Sequence, residues 1–532
     1  MNKSIRNWLF AFALTLPMVI FYLGYFFNHE PSLIPTGFIQ YDNVSYIAYA
    51  RQYLDNDHFN LLYSNPFNDS VGYPAIYFQP HTFILFLFIK AGLPVYLILP
   101  LFTLLCSFFC FRLIISIYDH LVPLGRNRTL SIWLFAWGGG LLTLAGIFAA
   151  FRNPGNLNFP DSIFILDPAG GWWGLNLGRA LFFSCEAYYH LLFLGGVLYI
   201  LKQKWSQTLI LSFILSISHP FTGIEFLCIV FAWSIVERIF IRNKKIPWWF
   251  VAGLALILAF HIYYYLFYLN RFADHRSVND QYSLNWRLRF FHMIPAYCIV
   301  GVLAFISLIK SQRIKSFLPA SVTRFFLCWF TIAFILANHE IFIHPAMQPL
   351  HFTRGYIWTS LFLLGLPALQ LFYSKAEIQK NYKPLLLVLI LLLFSDNFVW
   401  IMNYVRSRNV YPSATHISQE QDDLLKWLQK NTTNKTLILG SDDIPYLSTV
   451  FTKSYPWISH PFTTPFYHKK RIAYESFIRS NTIDSAWKGR EILFIFRKED
   501  SLENKRAIEF SIPVNLLKET PSYKIIKTAI PL

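Results

Sequence analysis

Charged residues are scarce in this sequence. Only 14% of its 532 residues are Asp, Glu, Lys or Arg, whereas a soluble globular domain usually has roughly 25%. Hydrophobic residues make up 55% of the chain, and the mean hydropathy is +0.39. Disordered chains combine low hydrophobicity with high charge, so this composition excludes that class. The 23 glycines are far fewer than the one residue in three that a collagen triple helix requires.

Cysteine is also rare, with six residues in the whole chain. They are Cys106, Cys110, Cys185, Cys228, Cys298 and Cys328. All lie in or beside apolar segments, and none has partners at a recognised metal-ligand spacing. We therefore exclude a disulfide framework and interpret the cysteines as small buried hydrophobic residues.

Long apolar segments recur along the first three quarters of the chain. Each approaches the roughly 20 residues that a helix needs to cross a bilayer. The segments are 8–27, 95–117, 129–150, 180–201, 206–218, 221–241, 247–269, 290–309, 320–337, 355–373 and 384–403. They predict a polytopic α-helical membrane protein, with about eleven transmembrane helices in a domain spanning residues 1–403.

Basic residues give the chain a net charge of +17, but no nucleic-acid motif accompanies them. They cluster in alternate loops between the apolar segments, and such loops are typically cytoplasmic. These clusters are Lys3/Arg6, Arg126/Arg128, Lys202/Lys204, Arg242/Lys244/Lys245, Lys310/Arg313/Lys315 and Lys375/Lys380/Lys383. We predict a cytoplasmic N-terminus and an extracytoplasmic tail, in a bacterial inner membrane. The assignment requires that residues 82–92 form a helix at the interface rather than a span.

The tail, residues 404–532, has a different composition, because charged residues return and the apolar runs shorten. Ser418 and Gln421 have the spacing of a capping box, which predicts a helix to about Lys430. Thr436–Leu439 and Glu491–Phe496 are typical of buried strands. We predict a small extracytoplasmic α/β domain, without a glycine-rich phosphate loop or a nucleophile motif.

The first outer loop, residues 28–94, holds the most informative acid. Asp42 follows the first apolar segment by about fifteen residues and precedes a predicted helix beginning at Asn43. Tyr46, Tyr49 and Tyr53 share one face of that helix at i, i+3 and i+7. By spacing alone, Asp42 is interpreted as a helix N-cap.

Four short motifs together resemble the GT-C membrane glycosyltransferases, which include protein O-mannosyltransferases and the aminoarabinose transferase of lipid A. Asp42 stands where those enzymes carry a catalytic acid. Residues 73–81, ending in Gln79-Pro80-His81, resemble their proline-led interface helix. Leu166-Asp167-Pro168 resembles the acidic position of the second outer loop, and Arg354 resembles a late outer-loop arginine that meets the lipid phosphate.

This resemblance implies an inverting transfer of a sugar from a polyprenyl-phosphate donor to a glycan, lipid or protein acceptor. It implies that Asp42 is the general base and that Arg354 binds the donor phosphate. Further candidates for binding donor phosphate or sugar are Gln79, His81, Asp167, His219, Glu186 and Tyr46. Each also has a structural interpretation: Arg354 as a charge reaching the interface, the histidines as interface residues and Asp167 as a turn residue.

Asn43 departs from the pattern, because many GT-C enzymes have two adjacent acids in the first outer loop. We therefore assign no cofactor at this position, since a lone carboxylate is sufficient for a general base. A divalent metal remains an alternative, and His339, Glu340 and His344 are other potential ligands.

Three other functions stay open at this point. A transporter or flippase of lipid-linked saccharides would explain the apolar segments and Glu186, an acid within one of them. It would predict internal repeats, and none is visible. A glycan ligase would use a late outer loop, whereas the best acid here is early. A catalytically degenerate family member would account for Asn43.

Overall fold

The computed structural model describes residues 2–55, 60–69, 73–122, 127–152, 161–171, 173–183, 185–281, 286–309, 318–406, 414–440, 443–509 and 514–529. Four of the predicted cytoplasmic basic residues, Arg126, Lys310, Arg313 and Lys315, lie outside these ranges. The chain divides into two compact units. The first unit contains residues 1–28, 100–265 and 283–408, and the second contains residues 29–99, 266–282 and 409–532.

Helices dominate the structure. In chain order they are α1 (Lys3–Phe27), α2 (Asn43–Asp55), α3 (Pro80–Lys90), α4 (Val95–Leu121), α5 (Arg128–Trp137), α6 (Leu142–Arg152), α7 (Leu177–Ala180), α8 (Glu186–Leu201), α9 (Trp205–Ser218), α10 (Pro220–Ile235), α11 (Trp248–Ile262), α12 (Ala273–Gln281), α13 (Phe290–Ile309), α14 (Ala320–Leu336), α15 (Tyr356–Ile378), α16 (Tyr382–Arg406), α17 (Gln419–Asn431), α18 (Asp443–Phe451), α19 (Tyr467–Ser480) and α20 (Ser501–Ile508). All eleven predicted apolar segments contain helix.

Six helices in the described ranges are long and apolar enough to cross a membrane. They are Lys3–Phe27, Val95–Leu121, Trp248–Arg271, Phe290–Ile309, Pro349–Ile378 and Tyr382–Arg406. Helices α5 and α6 meet at 56° and make a seventh if they form one bent span. The multi-pass membrane class is therefore confirmed. The count of about eleven stays a prediction, because α8, α9 and α14 have only 16, 14 and 17 residues.

The core of the first unit surrounds α15, which packs against α13, α14 and α16. Almost every residue of α15 from Tyr356 to Leu369 is buried, including Trp358. Asp396 on α16 is also buried, and its carboxylate accepts N–H bonds from Gly140, Leu142 and Thr143 at 2.8–3.3 Å. These bonds satisfy the amides where α5 ends and α6 begins.

The second unit contains a five-stranded mixed sheet. Its strands are β3 (Thr436–Gly440), β4 (Tyr455–Pro456), β5 (Glu491–Arg497), β6 (Asn515–Glu519) and β7 (Tyr523–Ala529), in the order β4-β3-β5-β7-β6. Strand β3 runs parallel to β4 and β5, whereas β7 is antiparallel to β5 and β6. The two strands predicted in the tail are confirmed, and both are almost wholly buried. The capping box at Ser418 is confirmed at the start of α17.

The first outer loop and the tail both contribute to the second unit. Strand β1 (Leu33–Pro35) pairs antiparallel with β2 (His416–Ser418), and α2 packs against both α3 and α18. Gly37, which has φ +84°, lies so close to the backbone of Tyr96 that a Cβ would come within 2.1 Å of its carbonyl oxygen. These contacts fix the segment that leads into α2, where Asp42 stands.

Candidate functional site

Asp42 immediately precedes α2, as predicted, and its carboxylate binds a histidine. Oδ1 of Asp42 accepts a hydrogen bond from Nε2 of His460 at 2.7 Å. The Asp42 side chain is 67% exposed, whereas that of His460 is only 6% exposed. The buried ring of His460 thus holds one oxygen of the Asp42 carboxylate, while the carboxylate itself stays accessible. This geometry is suited to accepting a proton from a bound hydroxyl.

The protonation of His460 follows from its second ring nitrogen. The backbone N–H of Phe462 donates to Nδ1 at 3.1 Å, so Nδ1 must carry a lone pair. A neutral imidazole has one donor nitrogen and one acceptor nitrogen. The proton is therefore on Nε2, directed at Asp42.

Aromatic rings enclose His460. The rings of Tyr41, Tyr446 and Phe462 lie 5.1, 5.4 and 5.6 Å from its ring, measured between centroids. The Tyr446 hydroxyl donates to the backbone oxygen of Tyr41 at 2.9 Å and lies 2.8 Å from Oγ of Ser45. Helix α18, which carries Tyr446, thereby contacts the chain on both sides of Asp42.

Asn43 is only 1% exposed, in contrast to its neighbour Asp42. Neither polar atom of its side chain has a hydrogen-bond partner in the part of the chain that the structure describes. Nor do the described residues contain a group of three or more His, Cys, Asp or Glu side chains able to hold a metal. Glu340, one alternative ligand, instead pairs with Arg287 at 3.4 Å.

The predicted residues around α3 are also in the second unit. Gln79 occupies the N-cap position of α3 and accepts a hydrogen bond from the hydroxyl of Tyr63 at 2.7 Å. His81 is fully buried, with its ring 5.8 Å from that of Tyr46. Burial lowers the pKa of His81 to about 3, so its ring is neutral near pH 7 and offers no positive charge to a phosphate.

Two residues that the sequence suggested separately, Glu186 and Arg354, form a buried ion pair in the first unit. The guanidinium of Arg354 also lies over the rings of Trp173 and Phe183, at 4.5 and 5.1 Å. His190 connects the segment that carries Glu186 with the segment that carries Arg354. Its ring nitrogens lie 2.8 Å from the backbone oxygen of Glu186 and 2.9 Å from the backbone oxygen of Arg354.

His219 belongs to the same region of the first unit. It caps α10, where its Nδ1 accepts the backbone N–H of Thr222 at 3.2 Å, and it stacks on Tyr189 at 4.4 Å. The ring of His351 lies 5.9 Å from that of His219 and 5.1 Å from that of Trp173. Trp173 thus contacts both His351 and Arg354, which places the predicted residues Arg354, Glu186 and His219 and one missed histidine in a single cluster.

Asp167 forms a different ion pair. It accepts a hydrogen bond from Arg179 at 3.0 Å, and both side chains are buried. Arg179 also donates to the backbone oxygen of Asp396 at 2.9 Å. Burial raises the pKa of Asp167 to about 6, against the opposing effect of Arg179. These contacts favour a structural role for Asp167.

His460 was not among the predicted residues, yet the sequence contains a signal for it. Residues 458–463 read Ile-Ser-His-Pro-Phe-Thr and repeat residues 217–222 without a change, which is a short internal repeat that the sequence interpretation above missed. The repeat centres on the two histidines, His219 and His460. In both copies Nδ1 accepts a backbone N–H two or three residues further along the chain.

The fold is shared with solved membrane enzymes. An oligosaccharyltransferase of Archaeoglobus fulgidus aligns with a TM-score of 0.51 and 11% identity over 87% of this chain and 65% of its own. The arabinofuranosyltransferase AftD from Mycobacteria aligns with a TM-score of 0.54 and 13% identity over 100% of this chain and 40% of its own. The chain has the GT-C fold.

This chain therefore spans less than two thirds of the length of either GT-C enzyme. ArnT from Cupriavidus metallidurans aligns over 99% of this chain and 98% of its own, with 9% identity and a TM-score of 0.48. No protein-family model and no curated protein sequence matches the chain. The comparisons confirm the predicted GT-C resemblance as a fold, while the roles of the site residues remain predictions.

Proposed function

We propose that this protein is an integral-membrane glycosyltransferase, which moves a sugar from a polyprenyl-phosphate-linked donor to an acceptor outside the cytoplasm. The observation that carries the proposal is the exposed carboxylate of Asp42, hydrogen-bonded to Nε2 of His460. The GT-C fold supports it, because the oligosaccharyltransferase and the arabinofuranosyltransferase with that fold are, by name, glycosyl-transferring enzymes.

In the proposed reaction, an acceptor hydroxyl attacks the anomeric carbon of the donor sugar. Asp42 takes the proton of that hydroxyl as the new C–O bond forms. The bond between the anomeric carbon and the phosphate oxygen breaks, and the lipid phosphate leaves with the electron pair. A single displacement without an enzyme nucleophile inverts the configuration at the anomeric carbon.

The leaving phosphate is anionic and requires cationic or hydrogen-bonding partners. Arg354 is the proposed partner, with His219 beside it in the same cluster. Nη1 of Arg354 pairs with Glu186, while its buried Nε has no hydrogen-bond partner in the described chain. The proposal therefore assigns Glu186 the role of orienting the Arg354 guanidinium.

The proposal includes sidedness and location. The alternating basic loops support a cytoplasmic N-terminus and an extracytoplasmic tail, and we place the protein in a bacterial inner membrane as part of the proposal. The acceptor is a glycan, a lipid or a protein segment at the outer surface. Asp42 as a lone carboxylate base requires no metal, and Asn43 does not supply a second acid.

Replacing Asp42 by Asn tests the proposed base. Purified protein is assayed for transfer of labelled sugar from a panel of polyprenyl-phosphate sugars to envelope acceptors. Because the amide cannot accept the hydroxyl proton, we expect Asp42→Asn to lower kcat by about 100-fold or more, with little change in donor binding. Asp423→Asn, an exposed change on α17, serves as the matched control and should leave the rate unchanged. Full activity of Asp42→Asn would exclude Asp42 as the base.

A further inference from the structure

The tail contributes a residue to the neighbourhood of Asp42. His460 follows β4 in the chain and is almost fully buried, yet its Nε2 bonds an exposed carboxylate in the first outer loop. The residues lie 418 positions apart in the sequence. A buried histidine with two specific hydrogen-bond partners is an ordered feature, and the reaction as derived from Asp42 alone does not use it.

We propose that His460 is a positioning residue for the general base, so that the base is an Asp42–His460 pair completed by the tail. This inference rests on the proposed function. The hydrogen bond from Nε2 engages Oδ1 and limits rotation of the Asp42 carboxylate, while the acceptor hydroxyl approaches from the exposed side. A bond to the ionised carboxylate also favours its charged form, which is the form that acts as a base.

The ring can perform this role because both its protonation and its orientation are fixed. If the proton were on Nδ1 instead, the ring would lose its bonds to both Phe462 N–H and Asp42. The rings of Tyr41 and Tyr446 restrain its plane. In the identical hexapeptide at His219, Nδ1 also accepts a backbone N–H, from Thr222 at 3.2 Å.

Other titratable groups surround the pair. Burial raises the pKa of the Tyr41 and Tyr446 hydroxyls well above their ordinary value, so both remain neutral through the working pH range. Asp443 at the start of α18 bonds the Tyr41 hydroxyl, and Tyr467 interacts with Tyr41 electrostatically.

The test compares three replacements of His460 in the full chain by their rate against pH. His460→Phe keeps an aromatic ring but removes the donor, so we expect kcat to fall about 10- to 100-fold. The acid limb of its profile should move to higher pH, because the carboxylate loses a stabilising donor. His460→Gln can place an N–H near the former Nε2 and should restore most of the rate, whereas the shorter His460→Asn should not. The KM for the donor should change little in all three.

Controls separate the possible outcomes. His120→Phe, a matched change at an exposed position of α4, should leave the profile unchanged. Equal losses in the Phe, Gln and Asn variants without a shifted acid limb would reduce His460 to a structural role and overturn the inference. If His460→Phe does not fold, the Gln and Asn variants decide it. An inactive Asp42→Asn with a normal His460→Phe would reject the positioning role alone, whereas an active Asp42→Asn would reject the proposed function itself.

Discussion

At the scale of single residues, the buried arginines of the first unit are each held in an ion pair. Arg179 bonds Asp167, and Arg354 bonds Glu186. An unpaired charge at such depth is costly, because neither water nor a counter-ion reaches it. The pairing explains how a chain with so little charge keeps arginine in its interior.

Removal of one partner should therefore be much more damaging than removal of an exposed charge. Asp167→Asn leaves Arg179 without its counter-charge, and we expect a loss of about 3–5 kcal/mol of stability. Thermal unfolding of the detergent-solubilised protein measures it. Glu475→Gln breaks the exposed pair with Arg471 and should cost at most about 1 kcal/mol. Equal effects of the two substitutions would contradict the structural role of the Asp167 pair.

At the scale of elements, the sequence pattern indicates where particular helices begin and end. Ser418 and Gln421 form the reciprocal bonds of a capping box. Pro220 ends α9 because the residue before a proline is restricted to extended conformations, and His219 has φ −150° and ψ 124°. The segment 206–218 is thus a short helix followed by a separate one.

The capping box should stabilise α17 measurably. Ser418→Ala removes the side-chain acceptor for the amide of Gln421, at a cost of about 1 kcal/mol. Hydrogen exchange in the whole protein should show about fivefold faster opening of residues 419–425. Gln419→Ala, which removes only a side-chain bond to Asp423, is the control and should leave exchange nearly unchanged. Unaltered protection in Ser418→Ala would show that tertiary packing alone holds the start of α17.

At the scale of the whole molecule, the GT-C fold is consistent with the lipid-anchored donor that we propose. The fold does not decide sidedness, which the basic loops predict. A reporter active only outside the cytoplasm should be active when fused after Leu532, and inactive when inserted beside Lys202. A cytoplasmic signal from the C-terminal fusion would mean that the number of crossings is even and that the proposed sidedness of the tail is wrong.

The sequence by itself determined the membrane class, the apolar segments, the helix caps and strands of the tail, and the position of Asp42 before a helix. These features depend on composition and on short-range patterns, which persist without tertiary contacts. Only the tertiary structure brought His460 to Asp42 and Glu186 to Arg354. Residues separated by 418 and 168 positions leave no periodic trace of their contact, because that contact depends on how distant segments pack and not on local spacing.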